Sequence, residues 1–217
     1  MHIKVIQFNY PGPLSMERST LSNQIKIIAL LFFAILLPLK VFADEMPFFI
    51  EGGLYHGGDG LPNSEMIGPG EEEVRAGGLL SLGVGLIVPV SQGMEIIPSL
   101  GQKYDFSFIR NYFVFDGKDR VTWSVTVLNL SAAYKTENFR YGLGFSYHIS
   151  PTLTSKGESE ESKWQFNNAT GTTYQIDYVL NAEATLGFRY EKIEYNATGL
   201  QSVKGDNIGL ILRVFIH

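Results

Sequence analysis

The chain contains no cysteine, so neither a disulfide framework nor a thiolate metal site can be built from it. Positive charge is also scarce: 17 Lys and Arg against 22 Asp and Glu give a formal net charge of −5. That balance argues against a nucleic-acid partner, because a phosphate backbone calls for a basic surface. Long apolar runs are nearly absent too. Ile27–Leu37 is continuous, but the run is broken by Pro38 and Lys40, short of the ~20 apolar residues a membrane helix needs. After Ala43 nothing is long and apolar enough for such a helix. A membrane form of the remaining chain would therefore have to be a closed sheet, in which every backbone N–H and C=O is paired internally.

The apolar run has a different reading. Met16–Ala43 has the layout of a secretory signal: Arg18 and Lys26 give a positive start, the apolar stretch follows, and Val41, Phe42 and Ala43 precede a cleavage point. The expected start is Met16, with residues 1–15 an over-extended beginning. Removing 1–43 takes away Lys4, Arg18, Lys26, Lys40 and Glu17, which moves the formal charge from −5 to −8. The expected organisation is an upstream segment and signal peptide at 1–43 and one domain at 44–217.

What the chain has in quantity, past residue 47, is alternation. Eight strand-sized runs are joined by connections that alternate between short and long. The short ones are Val88–Gly93, Lys135–Asn138 and Leu180–Ala182; the long ones are Gly57–Glu72, Asp105–Lys118, Pro151–Gly171 and Asn196–Asp206. An up-and-down barrel in water has no reason to sort its loops by end. A barrel that spans a membrane does, since turns on the assembly side stay short. The predicted fold is all-β: an eight-stranded antiparallel up-and-down transmembrane β-barrel.

Each run splits into two faces. Phe139, Tyr141, Leu143, Phe145, Tyr147 and Ile149 share one face, and Arg140, Gly142, Gly144, Ser146, His148 and Ser150 the other. Three strands break phase, two of them by a change of parity. Trp123 and Val125 oppose the parity of Leu128, Leu130, Ala132 and Tyr134, while Leu186, Phe188 and Tyr190 are out of step with Ile193 and Tyr195. A β-bulge in each would restore the face. Gln102 and Pro98 sit awkwardly in the third strand, Pro98 because it removes a ladder donor.

The polar face gathers Glu51, Glu95, Lys103, Arg140, Asp177, Glu183, Arg189 and Arg213, which suits mutual pairing in a lumen. Aromatics collect towards strand ends on the apolar face: Tyr104, Phe106, Phe108, Trp123, Tyr147, Tyr174 and Tyr195 near the long connections, Tyr134 and Phe139 near a short one. That is the pattern of interfacial girdles with the apolar face towards lipid. The opposite arrangement, a lipocalin-like soluble barrel with its apolar face around a ligand, is the rival architecture.

Over residues 47–217 the chain resembles the small eight-stranded outer-membrane barrels, the group that includes the OmpA transmembrane domain and the OmpX-like and OmpW-like proteins. The likeness rests on strand count, loop sorting and stretches such as Phe139–His148, Leu186–Tyr190 and Asn207–His217. The resemblance implies an outer-membrane location, lipid and lipopolysaccharide around the wall, and insertion by the barrel-assembly machinery. That machinery's signal usually ends on an aromatic residue; here Phe215 is third from last.

For function, His148 and Ser150 are the candidate catalytic pair, since a histidine can activate a nearby hydroxyl. An outer-membrane lipid A deacylase family carries such a His-x-Ser pair. Its serine is followed by Asn and a small residue, however, whereas Ser150 is followed by Pro151 and Thr152, and chance rim residues are the better reading. The charged lumen is a candidate conduction path, but eight strands leave room only for side chains. The acidic stretches Glu71–Glu73 and Glu158–Glu161 have oxygen ligands for hard cations without calcium-loop spacing, so solvated loops are the better reading. Asn168 and Asn196 match a glycosylation acceptor that the bacterial-type setting makes irrelevant. The expectation is a non-enzymatic, monomeric envelope protein with no cofactor and no metal, a structural or surface-interaction role, and a possible surface ligand at the long loops. The alternatives are a lipid A-modifying hydrolase and a soluble periplasmic ligand-binding barrel.

Overall fold

The computed structural model describes residues 46–61, 74–106, 120–156, 161–197 and 202–216. The signal segment, the run Glu71–Glu73, most of that at Glu158–Glu161, Phe108 and the terminal His217 lie outside the described residues. In chain order the strands are β1 (Phe48–Gly57), β2 (Leu80–Leu86), β3 (Val88–Ser91), β4 (Met94–Phe106), β5 (Arg120–Lys135), β6 (Phe139–Lys156), β7 (Glu161–Gln165), β8 (Ala169–Val179), β9 (Ala184–Lys192), β10 (Glu194–Tyr195), β11 (Val203–Lys204) and β12 (Asn207–Ile216).

Every neighbouring pair is antiparallel. The order runs β2, β1, β12, β9, β8, β6, β5, β4, and β4 pairs back onto β2 to close the cylinder. The first and last strands join over their whole length, from Phe48↔Ile216 to Gly57↔Asn207. With β2 and β3 counted as one stave, the wall is a closed eight-stranded antiparallel barrel, and closure leaves no edge among the staves. The break between β2 and β3 explains Pro98. The β2–β4 and β3–β4 ladders stop at Gly85↔Ser99 and resume at Val88↔Ile96, so the missing donor falls opposite a gap. The Ile87 amide donates instead to the Pro47 carbonyl at 3.1 Å.

Outward positions along the lower wall are apolar and exposed: Leu82 is 67% accessible, Phe145 64% and Phe188 61%. Inward positions there carry Glu, Arg, Asp, Gln, Thr and Gly, with a few apolar side chains such as Phe49, Ile97 and Ile211 among them. This is the inverse of a soluble barrel, and such a continuous apolar belt needs a lipid partner.

Several local expectations change. Val88–Ser91 is strand rather than turn, which leaves Gln92 and Gly93 between β3 and β4, with Gly93 at φ 77°. The connection 151–171 is largely sheet: β6 runs on to Lys156 and β7 pairs with it from Thr152↔Gln165 to Lys156↔Glu161. Likewise β10 and β11 form a short hairpin inside the last long connection.

The two expected bulges do not occur. In β5 the odd positions Val121, Trp123, Val125, Val127 and Ala133 are all buried, and in β9 and β10 the odd positions from Thr185 to Tyr195 are buried without a break. The strands keep one phase while the surroundings change. Beyond the lipid belt the outside of the barrel is water, so the polar positions Thr122, Ser124, Lys192 and Glu194 point out and the apolar ones turn in. Gln102 is the register partner of Thr126, close to that changeover. The one shift in the β5–β6 ladder places the extra residue in β6, between Ile149 and Thr152, where Ser150 takes φ 50°.

Candidate functional site

The lumen is built in three storeys. At the short-turn end, Phe49, Ile87, Ile97 and Ala133 form an apolar cluster with Phe215 against it, and the rings of Phe49 and Phe215 meet edge-on at 6.1 Å. Beside it Arg140 donates from Nε to Glu95 Oε2 at 2.6 Å. A vestibule of about 390 Å³ opens there, bordered by Glu95, Arg140, Thr185 and Phe215.

The middle storey is a continuous ion-pair network. Arg189 grips Glu51 through both terminal nitrogens, at 3.2 Å and 3.0 Å, and Arg213 donates from Nε to the same carboxylate at 2.9 Å. Arg213 also donates to Asp177 Oδ2 at 2.9 Å. The Gln175 side-chain oxygen accepts from Arg189 at 2.8 Å and from Arg213 at 3.2 Å, and its amide donates to Asp177. The Arg213 guanidinium stacks 4.8 Å from the Phe49 ring centroid. Four strands, β1, β8, β9 and β12, contribute to this network, and such groups are tolerated in low dielectric only when paired this completely.

Above it, Lys103 pairs with Glu191 and lies 4.2 Å from the Tyr55 ring centroid. Glu191 Oε1 is 2.9 Å from His148 Nε2, and the Tyr195 hydroxyl is 2.7 Å from His148 Nδ1. A carboxylate only accepts, so Nε2 carries the proton and, in the neutral ring, Nδ1 accepts from the tyrosine. Asn207 donates to Glu191 Oε2 at 3.1 Å and to the Gly205 carbonyl at 2.7 Å. Room for Tyr55 comes from Gly209, where an added Cβ would stand 2.4 Å from the ring. Over this layer lies an apolar cap of Leu61, Val74, Ala76, Val121, Trp123, Leu153, Phe166, Ala169, Ile193, Tyr195 and Val203. Trp123 sits at its centre, edge-on to Phe166 and Tyr195 at 5.3 Å each.

Six of the lumen residues expected from sequence, Glu51, Glu95, Arg140, Asp177, Arg189 and Arg213, come together in two groups. Glu183 does not. It is exposed in the β8–β9 turn, where its amide donates to Asn181 Oδ1 and its carbonyl accepts from Phe215. Among the expected interface aromatics, Tyr104, Phe106, Tyr134, Phe139, Tyr147 and Tyr174 stand on the outward parity. Trp123 and Tyr195 are instead fully buried within the barrel, because at their height the exterior is water and the interior is the apolar side.

His148 and Ser150 part company as well. His148 is buried with both nitrogens occupied by Glu191 and Tyr195, whereas Ser150 lies in the wall at the bulge, its amide donating to Asn168 Oδ1. Neither ring nitrogen is directed at a serine. Gln175, Glu191, Asn207 and Tyr55 were missed by sequence reasoning. Parity would have found all four, since Gln175 is two residues from Asp177, Glu191 two from Arg189, Tyr55 four from Glu51 and Asn207 six from Arg213.

Two solved structures share this architecture. The attachment invasion locus protein Ail of Yersinia pestis is 8% identical over 78% of this chain and 96% of its own, with a TM-score of 0.51. Neisserial surface protein A is 11% identical over 78% of this chain and 97% of its own, with a TM-score of 0.50. The fold is that of the small eight-stranded outer-membrane barrels. No protein-family model and no curated protein matches the chain. The likeness of this chain to its neighbours is therefore one of fold, while its lumen contacts are its own.

Proposed function

We propose that the chain is a non-enzymatic outer-membrane surface protein whose wall is scaffold and whose interactions are made at the end with the long connections. The observation that carries this reading is the filled lumen: paired charges occupy its middle, and an apolar cap built from residues of five strands and the segments beside them overlies them. The same packing engages both His148 nitrogens, which supports a non-hydrolytic reading. What stands clear of the wall is a three-stranded extension of β5, β6 and β7, in which β7 pairs among the described residues with β6 alone. An extension of this kind offers backbone groups and side chains to a partner. The name of the Yersinia neighbour, an attachment protein, accords with a role at the cell surface.

The proposal includes export by the N-terminal signal, insertion by the barrel-assembly machinery into a membrane with lipopolysaccharide, and a monomeric state. The test pairs two measurements. In planar bilayers the folded chain gives no steady conductance steps, and cells displaying it adhere to matrix-coated or epithelial surfaces more than cells displaying a chain cut back between Ser155 and Phe166. Stable conductance would remove the scaffold reading, and equal adhesion would remove the surface role of β6 and β7.

A further inference from the structure

The wall is not paired evenly near its upper end. The β8–β9 ladder ends at Thr172↔Lys192, although β8 goes on pairing with β6 as far as His148↔Ala169. The chain leaves the wall at Ile193, whose side chain turns into the cap. Its amide donates to Asp206 Oδ1 at 2.9 Å, and its carbonyl accepts from the Gly205 amide at 2.8 Å. After it, among the described residues β10 pairs with β11 alone. Gly171 permits the close approach at the fork, since a Cβ there would stand 2.9 Å from the Lys192 carbonyl oxygen.

The fork leaves an open groove of about 370 Å³ on the outer wall. Phe145, Thr170 and Thr172 border it from the β6–β8 side, and Lys192 and Lys204 from the β9–β11 side. Among the described residues neither lysine ammonium has a hydrogen-bond or ion-pair partner; Lys204 is held through its backbone, its amide donating to Asp59 Oδ2 at 2.9 Å and its carbonyl accepting from the Asp59 amide at 2.7 Å. Two carboxylates also border the groove: Asp206, one oxygen of which accepts from the Ile193 amide, and Glu194. The lysine charges are therefore matched overall, and the cationic character is local to the two ammonium ends.

Height decides what fits. Lys192 follows Tyr190 by two residues, and its register partner Thr172 precedes Tyr174 by two. The Tyr174 and Tyr190 rings lie on the lipid side with centroids 6.2 Å apart. Lys192 and Thr172 therefore stand one step above Tyr190 and Tyr174, with Phe145 beside Thr172 at the top of the apolar belt. Thr170 and Lys204 lie a further step out, paired with Tyr147 and Glu194, at headgroup level. We propose that this groove seats a phosphorylated amphiphile of the outer leaflet. Its phosphate lies between Lys192 and Lys204 within reach of Thr170 and Thr172, and its acyl chains run down over Phe145. Ammonium-to-phosphate contacts are charge-assisted, and the apolar belt supplies the rest of the attraction.

This inference rests on the membrane reading, and the test separates the two. The full chain is folded into phosphatidylcholine nanodiscs containing bisphosphorylated lipid A, and bound lipid is counted by native mass spectrometry. Wild type and Lys163→Gln, altered on β7 away from the groove, retain lipid A. The Lys192→Gln/Lys204→Gln variant retains it roughly tenfold less or worse. Phosphate-free lipid A is not held, and millimolar inorganic phosphate does not displace the lipid. Retention independent of the two lysines or of the lipid phosphate would overturn the site, and displacement by inorganic phosphate would overturn its lipid occupant. Heat-shifted mobility on gels checks that every variant is folded, and a wild-type chain that fails to enter nanodiscs would overturn the membrane reading itself.

Discussion

Glu51 joins two arginines at the middle of the lumen, and Glu51→Gln removes the charge while keeping the shape. The consequences for the two partners differ. Arg213 keeps Asp177 at 2.9 Å, so its charge stays compensated. Arg189 loses a two-point grip and keeps only neutral acceptors, the Gln175 oxygen at 2.8 Å and the Tyr55 hydroxyl at 3.4 Å. One buried cation is therefore stranded, not two. Breaking a buried pair by removing one partner costs about 3–5 kcal/mol, and the surviving neutral contacts place this case at ~3 kcal/mol, or roughly a hundredfold in the folding equilibrium. Guanidinium titration of the protein in lipid vesicles, followed by tryptophan emission and by gel mobility, measures the loss. Adding Arg189→Met to Glu51→Gln removes the stranded charge, so the double variant is more stable than Glu51→Gln alone. The penalty also changes little as salt is raised, because buried charges are poorly screened. A loss under ~1 kcal/mol, the range of exposed pairs, or a double variant with additive losses, would refute the desolvated, shared-carboxylate picture.

Two further outcomes test the packing. The chain has two tryptophans; with Trp164→Phe the remaining emission comes from Trp123, and brominated lipids leave it unquenched because the ring lies in the cap, whereas strong quenching would put it back at the interface. Gly209→Ala forces a methyl group to within 2.4 Å of the Tyr55 ring and lowers stability by about 1–3 kcal/mol; the same denaturant titration should find Gly209→Ala/Tyr55→Ala less damaged than the sum of the single variants.

The lower barrel was legible in the sequence because each side chain there answers to one boundary condition, lipid outside and a closed lumen inside. Phe139 to Phe145 and Ile208 to Ile216 alternate cleanly for that reason, and the charges of Glu51, Asp177, Arg189 and Arg213 had to share the inward face. Who pairs with whom was not legible, since tilt and closure bring Arg189 to Glu51 across 138 positions. Trp123 and Tyr195 misled because an aromatic residue at a strand end fits both a girdle and a core. Periodicity reports that a face changes character, but a bulge and a change of solvent leave the same trace. His148 looked reactive beside Ser150 in sequence, while a distant strand end supplied Tyr195 and Glu191 as its partners.

The reversal of polarity along unbroken strands also fixes where the molecule stops. Sliding the barrel inward by one residue pair, about 7 Å along a strand, would draw Lys192 and Glu194 towards hydrocarbon, where a charge costs from about 1 kcal/mol near the surface to about 4 kcal/mol at mid-depth. Sliding it outward would strip lipid from Phe188 and Phe145. Both penalties recur on several strands at once, so the restoring force acts around the circumference and resists rocking as well as pistoning. The barrel behaves as a float with its waterline written into β5 and β9, and that waterline sets how far the extension of β6 and β7 reaches from the membrane.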